Sequence, residues 1–186
     1  MVAGPPLSPA SDPAGETGAG GPAHANVRRV ADILSAAGAG GEVREFEAST
    51  RTARDAAAAL GCPVGAIASS LVFMADGSPL LIVTSGAHRV DVDLVAGALG
   101  GTELRQATPE EVRAATGFPI GGVSPVGHAD GLRVLVDRAL AAYPAVWAAG
   151  GTPNAVFPTS FAELLGASGG EPVDIRETPG ADTPAQ

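Results

Sequence analysis

Apolar positions along the chain follow two rhythms. Val27, Val30, Ile33, Leu34 and Ala37 recur at the three- and four-residue spacing of an amphipathic helix. Asn26 is its expected N-cap and Gly38 its stop. Residues 43–47 read as a strand, and the alanine-rich run 52–60 predicts a second helix ended by Gly61. Two β-rich runs, 70–74 and 80–84, flank Ala75-Asp76-Gly77-Ser78, and an Asp-Gly pair between such runs predicts a hairpin. Residues 91–99 predict a short helix stopped by Gly100-Gly101. Thr108-Pro109-Glu110-Glu111 has the form of a capping box with proline at the first helical position, so 109–116 is predicted helical. Runs 132–136 and 145–149 read as buried strands. Ser160-Phe161-Ala162-Glu163 starts another capped helix, and 173–175 is a last short strand. Mixed strands and helices around a hairpin predict an α+β domain rather than a regular doubly wound sheet.

The rhythm is missing at both ends. Residues 1–25 hold five Gly, five Pro and six Ala without apolar period and read as a flexible tail. Residues 178–186 read likewise, which leaves 26–177 as the folded body. No internal repeat is evident. Hydrophobic residues make up 45% of the chain, enough for a core, while aromatics are only 4%, so that core is expected to be aliphatic and alanine-rich.

Charge narrows the function classes. All 11 basic residues are arginines and the formal net charge is −9, so the chain lacks the basic footprint of a non-specific DNA binder. Without lysine there is no Schiff-base or lysine phosphate-anchor chemistry. A single cysteine, Cys62, excludes an internal disulfide and a cysteine zinc cluster, and the three histidines show no metal-ligand spacing. There is no secretory signal pattern and no run of 18 apolar residues. The expectation is a cytoplasmic protein with no membrane association.

The chemistry-bearing segments are two. Residues 117–128 (Gly-Phe-Pro-Ile-Gly-Gly-Val-Ser-Pro-Val-Gly-His) hold four Gly and two Pro between a helix and a strand. Such a loop is stiff at the prolines and open at the glycines, so bare backbone groups can approach a ligand; an ordinary surface connection is the alternative. Gly150-Gly151-Thr152-Pro153-Asn154 follows a strand and could do the same, or simply turn the chain. Ser69-Ser70 lacks the surroundings of a nucleophile elbow, and no phosphate-binding glycine motif is present. His128 and His88 are possible bases or plain exposed histidines, and no Ser/His/Asp set can be assembled. Trp147 reads as core.

In order, Ile67-Ala68-Ser69-Ser70-Leu71-Val72-Phe73, Gly86-Ala87-His88-Arg89-Val90-Asp91, the 117–128 loop, and Ala149-Gly150-Gly151-Thr152-Pro153-Asn154-Ala155-Val156-Phe157 closely resemble the YbaK/ProX aminoacyl-tRNA deacylase family. That family is related to the editing domain inserted in bacterial prolyl-tRNA synthetases. The resemblance spans nearly all of 26–177. It implies a compact single α+β domain with a central mixed, barrel-like sheet flanked by helices. It also implies hydrolysis of the ester joining a wrong amino acid to the 3′-terminal ribose of tRNA, without a cofactor. The implied partners are a charged tRNA acceptor end and a synthetase. The implied catalytic set is Gly121, Gly122, Val123, Ser69 and His128. The implied substrate-binding set is Ser70, Arg89, Pro125, Gly127, Gly150, Gly151, Thr152 and Asn154, with Arg89 as the phosphate contact. Ser69 stands where many family members carry a lysine. That departure motivates a second reading, a catalytically weak or inactive module that binds an aminoacyl-tRNA end or a synthetase. A third is a hydrolase of another small ester.

Overall fold

The fold is given by a computed structural model, which describes residues 24–46, 52–128 and 131–176. The C-terminal tail and all but the last two residues of the N-terminal tail lie outside that range, as does Glu47 of the first predicted strand.

Among the described residues five helices flank one mixed sheet of eight strands. In chain order these are α1 (Ala25–Ala36), β1 (Arg44–Glu45), α2 (Ala53–Leu60), β2 (Ile67–Ala75), β3 (Ser78–Ser85), α3 (Val92–Ala98), β4 (Leu104–Gln106), α4 (Pro109–Thr116), β5 (Arg133–Asp137), β6 (Val146–Ala149), β7 (Ala155–Thr159), α5 (Phe161–Ser168) and β8 (Glu171–Val173). The spatial order is β1-β7-β6-β2-β3-β5-β8, and β4 pairs with β2 off this path. The pairs β2–β6, β3–β5 and β5–β8 are parallel and the rest antiparallel.

The two central strands are covered on both faces, which explains why Leu80-Leu81-Ile82-Val83 is a continuous apolar run rather than an alternating one. Leu81 and Val83 join Val72, Val134 and Val136 in the larger core, under α1, α4 and α5. Leu80 and Ile82 join Phe73, Leu135 and Ile175 in a second core with Val95 of α3. A third cluster packs Ala56 and Ala57 of α2 onto Ile67.

The local signals explain the boundaries. Asp76 and Gly77 both take positive φ, 47° and 78°, which the tight β2–β3 turn requires. Thr108 and Ser160 each accept the N–H three residues on, while Glu111 and Glu163 reach back to the cap N–H, so both predicted capping boxes form. The first helix is capped differently from expectation. His24 is its N-cap, its Nδ1 accepting from Asn26 N at 3.2 Å, and Asn26 lies inside the helix. The last strand is Glu171–Val173 rather than 173–175. Ile175 is buried but unpaired with β5, and its carbonyl accepts Asp91 N at 2.8 Å instead.

Candidate functional site

A cavity of about 350 Å3 opens beside the N-terminal half of β2. That volume is at the small end of the ~300–1,000 Å3 typical of ligand pockets. Its floor is β2 from Ile67 to Val72 with Trp147, Ala148 and Ala149 of the parallel neighbour β6. One wall is α2, through Ala53 and Ala56, with its cap Thr52. Gln106, Ala107 and Val112 close another side, and Ile120, Gly121 and Val123 bring the glycine-rich loop to the rim. Among the described residues no charged side chain lines it. Its polar groups are Ser69, Ser70, Thr52 and Gln106, and the Ser70 hydroxyl is buried without a hydrogen-bond partner.

The loop is held by conformations and contacts that glycine permits. Gly117, Gly121 and Gly127 take φ of 73°, 83° and 81°. Gly122 is required for a different reason. A Cβ there would sit 2.6 Å from Cα and C of Thr152, so the 117–128 loop and the 150–154 loop touch backbone to backbone. Gly122 donates its N–H to Pro119 O at 3.0 Å, whereas the N–H groups of Gly121 and Val123 make no hydrogen bond among the described residues. Unbonded backbone donors on residues that line a cavity are groups of the kind that stabilise a developing oxyanion.

Of the residues implied by the resemblance, Ser69, Ser70, Gly121 and Val123 line the cavity. Gly122 and Thr152 form the packed junction of the two loops, and Gly151 packs on Asn26 of α1. Gly127 packs on α1, and Gly150 on Val43 and Ala155. Asn154 O accepts Phe46 N at 2.8 Å, tying the second loop to the chain beyond β1. Pro125 O meets Nε2 of His128 at 3.0 Å. A carbonyl can only accept, so the proton is on Nε2, and that nitrogen is committed to the loop itself. Neither His128 nor Arg89, which is exposed, lines the cavity.

Sequence reasoning missed the α2 wall and Trp147. Trp147 is half-buried at the cavity, with the Arg44 guanidinium 5.1 Å from its ring centroid. The signal was the parallel register that sets Trp147 opposite Ile67, which no local pattern reveals. It also missed Asp137. This buried carboxylate accepts from Ser85 N at 3.0 Å, Ala139 N at 3.0 Å and His88 Nδ1 at 2.8 Å, pinning the C-terminal ends of β3 and β5. His88 is thereby a structural partner away from the cavity lining. Cys62 is free and half-buried, and burial pushes its thiol pKa up, away from reactivity. Among the described residues no three His, Cys, Asp or Glu side chains gather as metal ligands, and no helix is long and apolar enough to cross a membrane.

The family model described as "Aminoacyl-tRNA editing domain" matches residues 47–167. The chain belongs to the aminoacyl-tRNA editing domain family. A solved structure of a candidate trans-editing enzyme for prolyl-tRNA synthetase matches this editing domain with a TM-score of 0.77 and 47% identity, covering 83% of this chain and 99% of that one. The uncharacterised protein YwhH of Bacillus subtilis (strain 168) is 35% identical over 124 residues, 66% of this chain and 78% of YwhH. The proline–tRNA ligase of Nitratidesulfovibrio vulgaris (strain Hildenborough) is 36% identical over 89 residues, 48% of this chain but 16% of the ligase. The editing domain therefore corresponds to one segment of a much larger synthetase.

Proposed function

We propose that the chain is a trans-editing hydrolase, which cleaves the ester between a small uncharged amino acid and the 3′-terminal ribose of a mischarged, proline-accepting tRNA. The observation that carries this reading is the pair of unpartnered N–H groups of Gly121 and Val123, two residues of a cavity whose described lining carries no charged side chain. The similarity to a candidate trans-editing enzyme and to a segment of proline–tRNA ligases supports the substrate class.

In the proposed reaction a water adds to the ester carbonyl. The carbonyl oxygen takes up negative charge against the two N–H donors. The bond to the ribose oxygen then breaks, that oxygen takes a proton, and the products are the free amino acid and tRNA with its terminal hydroxyl restored. Ser69 and Ser70 supply hydroxyls to hold the substrate's polar groups in the cavity. Positioning and backbone electrostatics carry the rate, in place of a side-chain triad. Small, uncharged wrong amino acids are the class that needs such a second site, since a synthetase discriminates by only about 1–3 kcal/mol per methylene. The reaction would take place where tRNA is charged, in the cytoplasm.

The test is release of amino acid from tRNA charged with alanine, cysteine or serine, for the wild type and for Ser69→Lys. Hydrolysis by the wild type supports the reading. Ser69→Lys is expected to lower KM and steepen its salt dependence, because it adds a cation able to meet phosphate. A silent wild type with an active Ser69→Lys would establish instead a module that binds without turnover.

A further inference from the structure

Helix α1 precedes the segment matched by the family model, yet one of its faces touches both loops of the site. Asn26 Nδ2 donates to Gly151 O at 3.3 Å, and a Cβ on Gly151 would meet the Asn26 backbone at 2.9 Å. Ile33 lies against Gly127. Between them, Arg29 reaches both ends of the 117–128 loop. Its Nη2 donates to Thr116 O at 3.3 Å, and its guanidinium carbon lies 4.3 Å from the centroid of the fully buried Phe118 ring. The same side chain lies against two glycines of the loop. A Cβ on Gly117 would come within 3.4 Å of its terminal nitrogens, and one on Gly127 within 3.6 Å of its Cγ and Nε.

Arginine is an expensive choice for simple packing there. Its Nε is buried without a hydrogen-bond partner, a loss that leucine or methionine would avoid. What the guanidinium supplies is a planar group that bonds a carbonyl and covers an aromatic face at once. We infer that Arg29 is a positioning residue of the site: it staples the start and end of the glycine-rich loop, fixing the curvature that sets the backbone of Gly121 and Val123 at the cavity. The inference rests on the editing reading for its catalytic consequence, but its structural half stands alone.

Two readouts separate the halves. The first is amide hydrogen exchange by NMR in the full chain. The reporter is the Gly122 N–H, bonded to Pro119 O within the loop, and the control is the Ile82 N–H in the central strand β3. In Arg29→Met, which keeps length and apolar contact, Gly122 protection is expected to fall on the order of tenfold with Ile82 unchanged. Arg29→Lys, which keeps the charge and loses the planar fork, is expected to fall between. Unchanged Gly122 protection, or an equal loss at Ile82, overturns the staple. The second readout is deacylation of mischarged tRNA. Arg29→Met is expected to lower kcat on the order of tenfold with KM within about twofold, because orientation and not binding is lost. A purely structural role would leave kcat of the folded fraction intact and would overturn the catalytic half. Should the wild type itself release no amino acid, the editing reading fails and the exchange result still decides the staple.

Discussion

Gly122→Ala isolates the loop junction. Gly122 has no positive φ to lose, so alanine suits its backbone and the whole effect comes from one methyl group. That methyl would lie 2.6 Å from Thr152 Cα and C and 2.9 Å from Thr152 N, against ordinary contact beginning near 3.4 Å. Backbone cannot swing aside as a side-chain tip can, so the two loops must separate by roughly 0.8 Å. Two consequences follow. Overpacking of this kind destabilises by about 1–3 kcal/mol, which in a domain of this size lowers Tm by roughly 2–12 °C. The flanking donors at Gly121 and Val123 move with the loop, and a misplacement approaching 1 Å is worth about 100-fold in rate. Thermal unfolding followed by circular dichroism reads the first, and kcat on mischarged tRNA at a temperature where both proteins are folded reads the second. Gly40→Ala, with nothing within 4 Å of its Cβ, is the control and should leave both unchanged. A Gly122→Ala variant with unaltered Tm and kcat would refute the claim that this contact holds the donors.

Three further outcomes are expected. Gly166→Ala, on an exposed position inside α5 with nothing within 4 Å, should stabilise by about 0.5–1 kcal/mol, seen as a rise in denaturation midpoint. Asp137→Ala leaves the Ser85 and Ala139 N–H groups and His88 without their acceptor, and should destabilise by about 1–3 kcal/mol in urea unfolding. Glu111 is held at about 2, first by its bond with Arg105 and then by the Thr108 N–H. A carboxylate depressed in the folded state stabilises above its unfolded pKa, and that contribution fades as pH falls toward about 2. Wild type should therefore out-melt Glu111→Gln at neutral pH and lose that advantage near pH 2; a constant difference across that window would contradict the assignment.

Much of the fold was legible because local chemistry and tertiary need agree in it. The Asp76-Gly77 turn, both capping boxes and the αL stop at Gly61 are short-range signals that the structure uses directly. The strands without such signals were lost. β4 is three residues paired only with β2 and has no pattern of its own. β7 contains Pro158, which argues against a strand, but β1 pairs only with Ala155 and Val156, so Pro158 lies where β7 has become an edge. The site divides in the same way. The glycine loop was conspicuous from composition, and Ser69 and Ser70 from the family resemblance. The α2 wall, Trp147 and the support from Arg29 are products of long-range packing. Arg29 lies 88 residues from Gly117 in sequence, and nothing near it in the chain marks its guanidinium as a partner of that loop.

The most direct measurement is the time course of amino acid release from alanine-charged, proline-accepting tRNA, with the wild type and Gly122→Ala run side by side against the spontaneous rate. Release by the wild type well above the spontaneous rate, and a collapse in the variant, is the predicted result. Release at the spontaneous rate by the wild type across alanine, cysteine and serine, or full activity in Gly122→Ala, would contradict it.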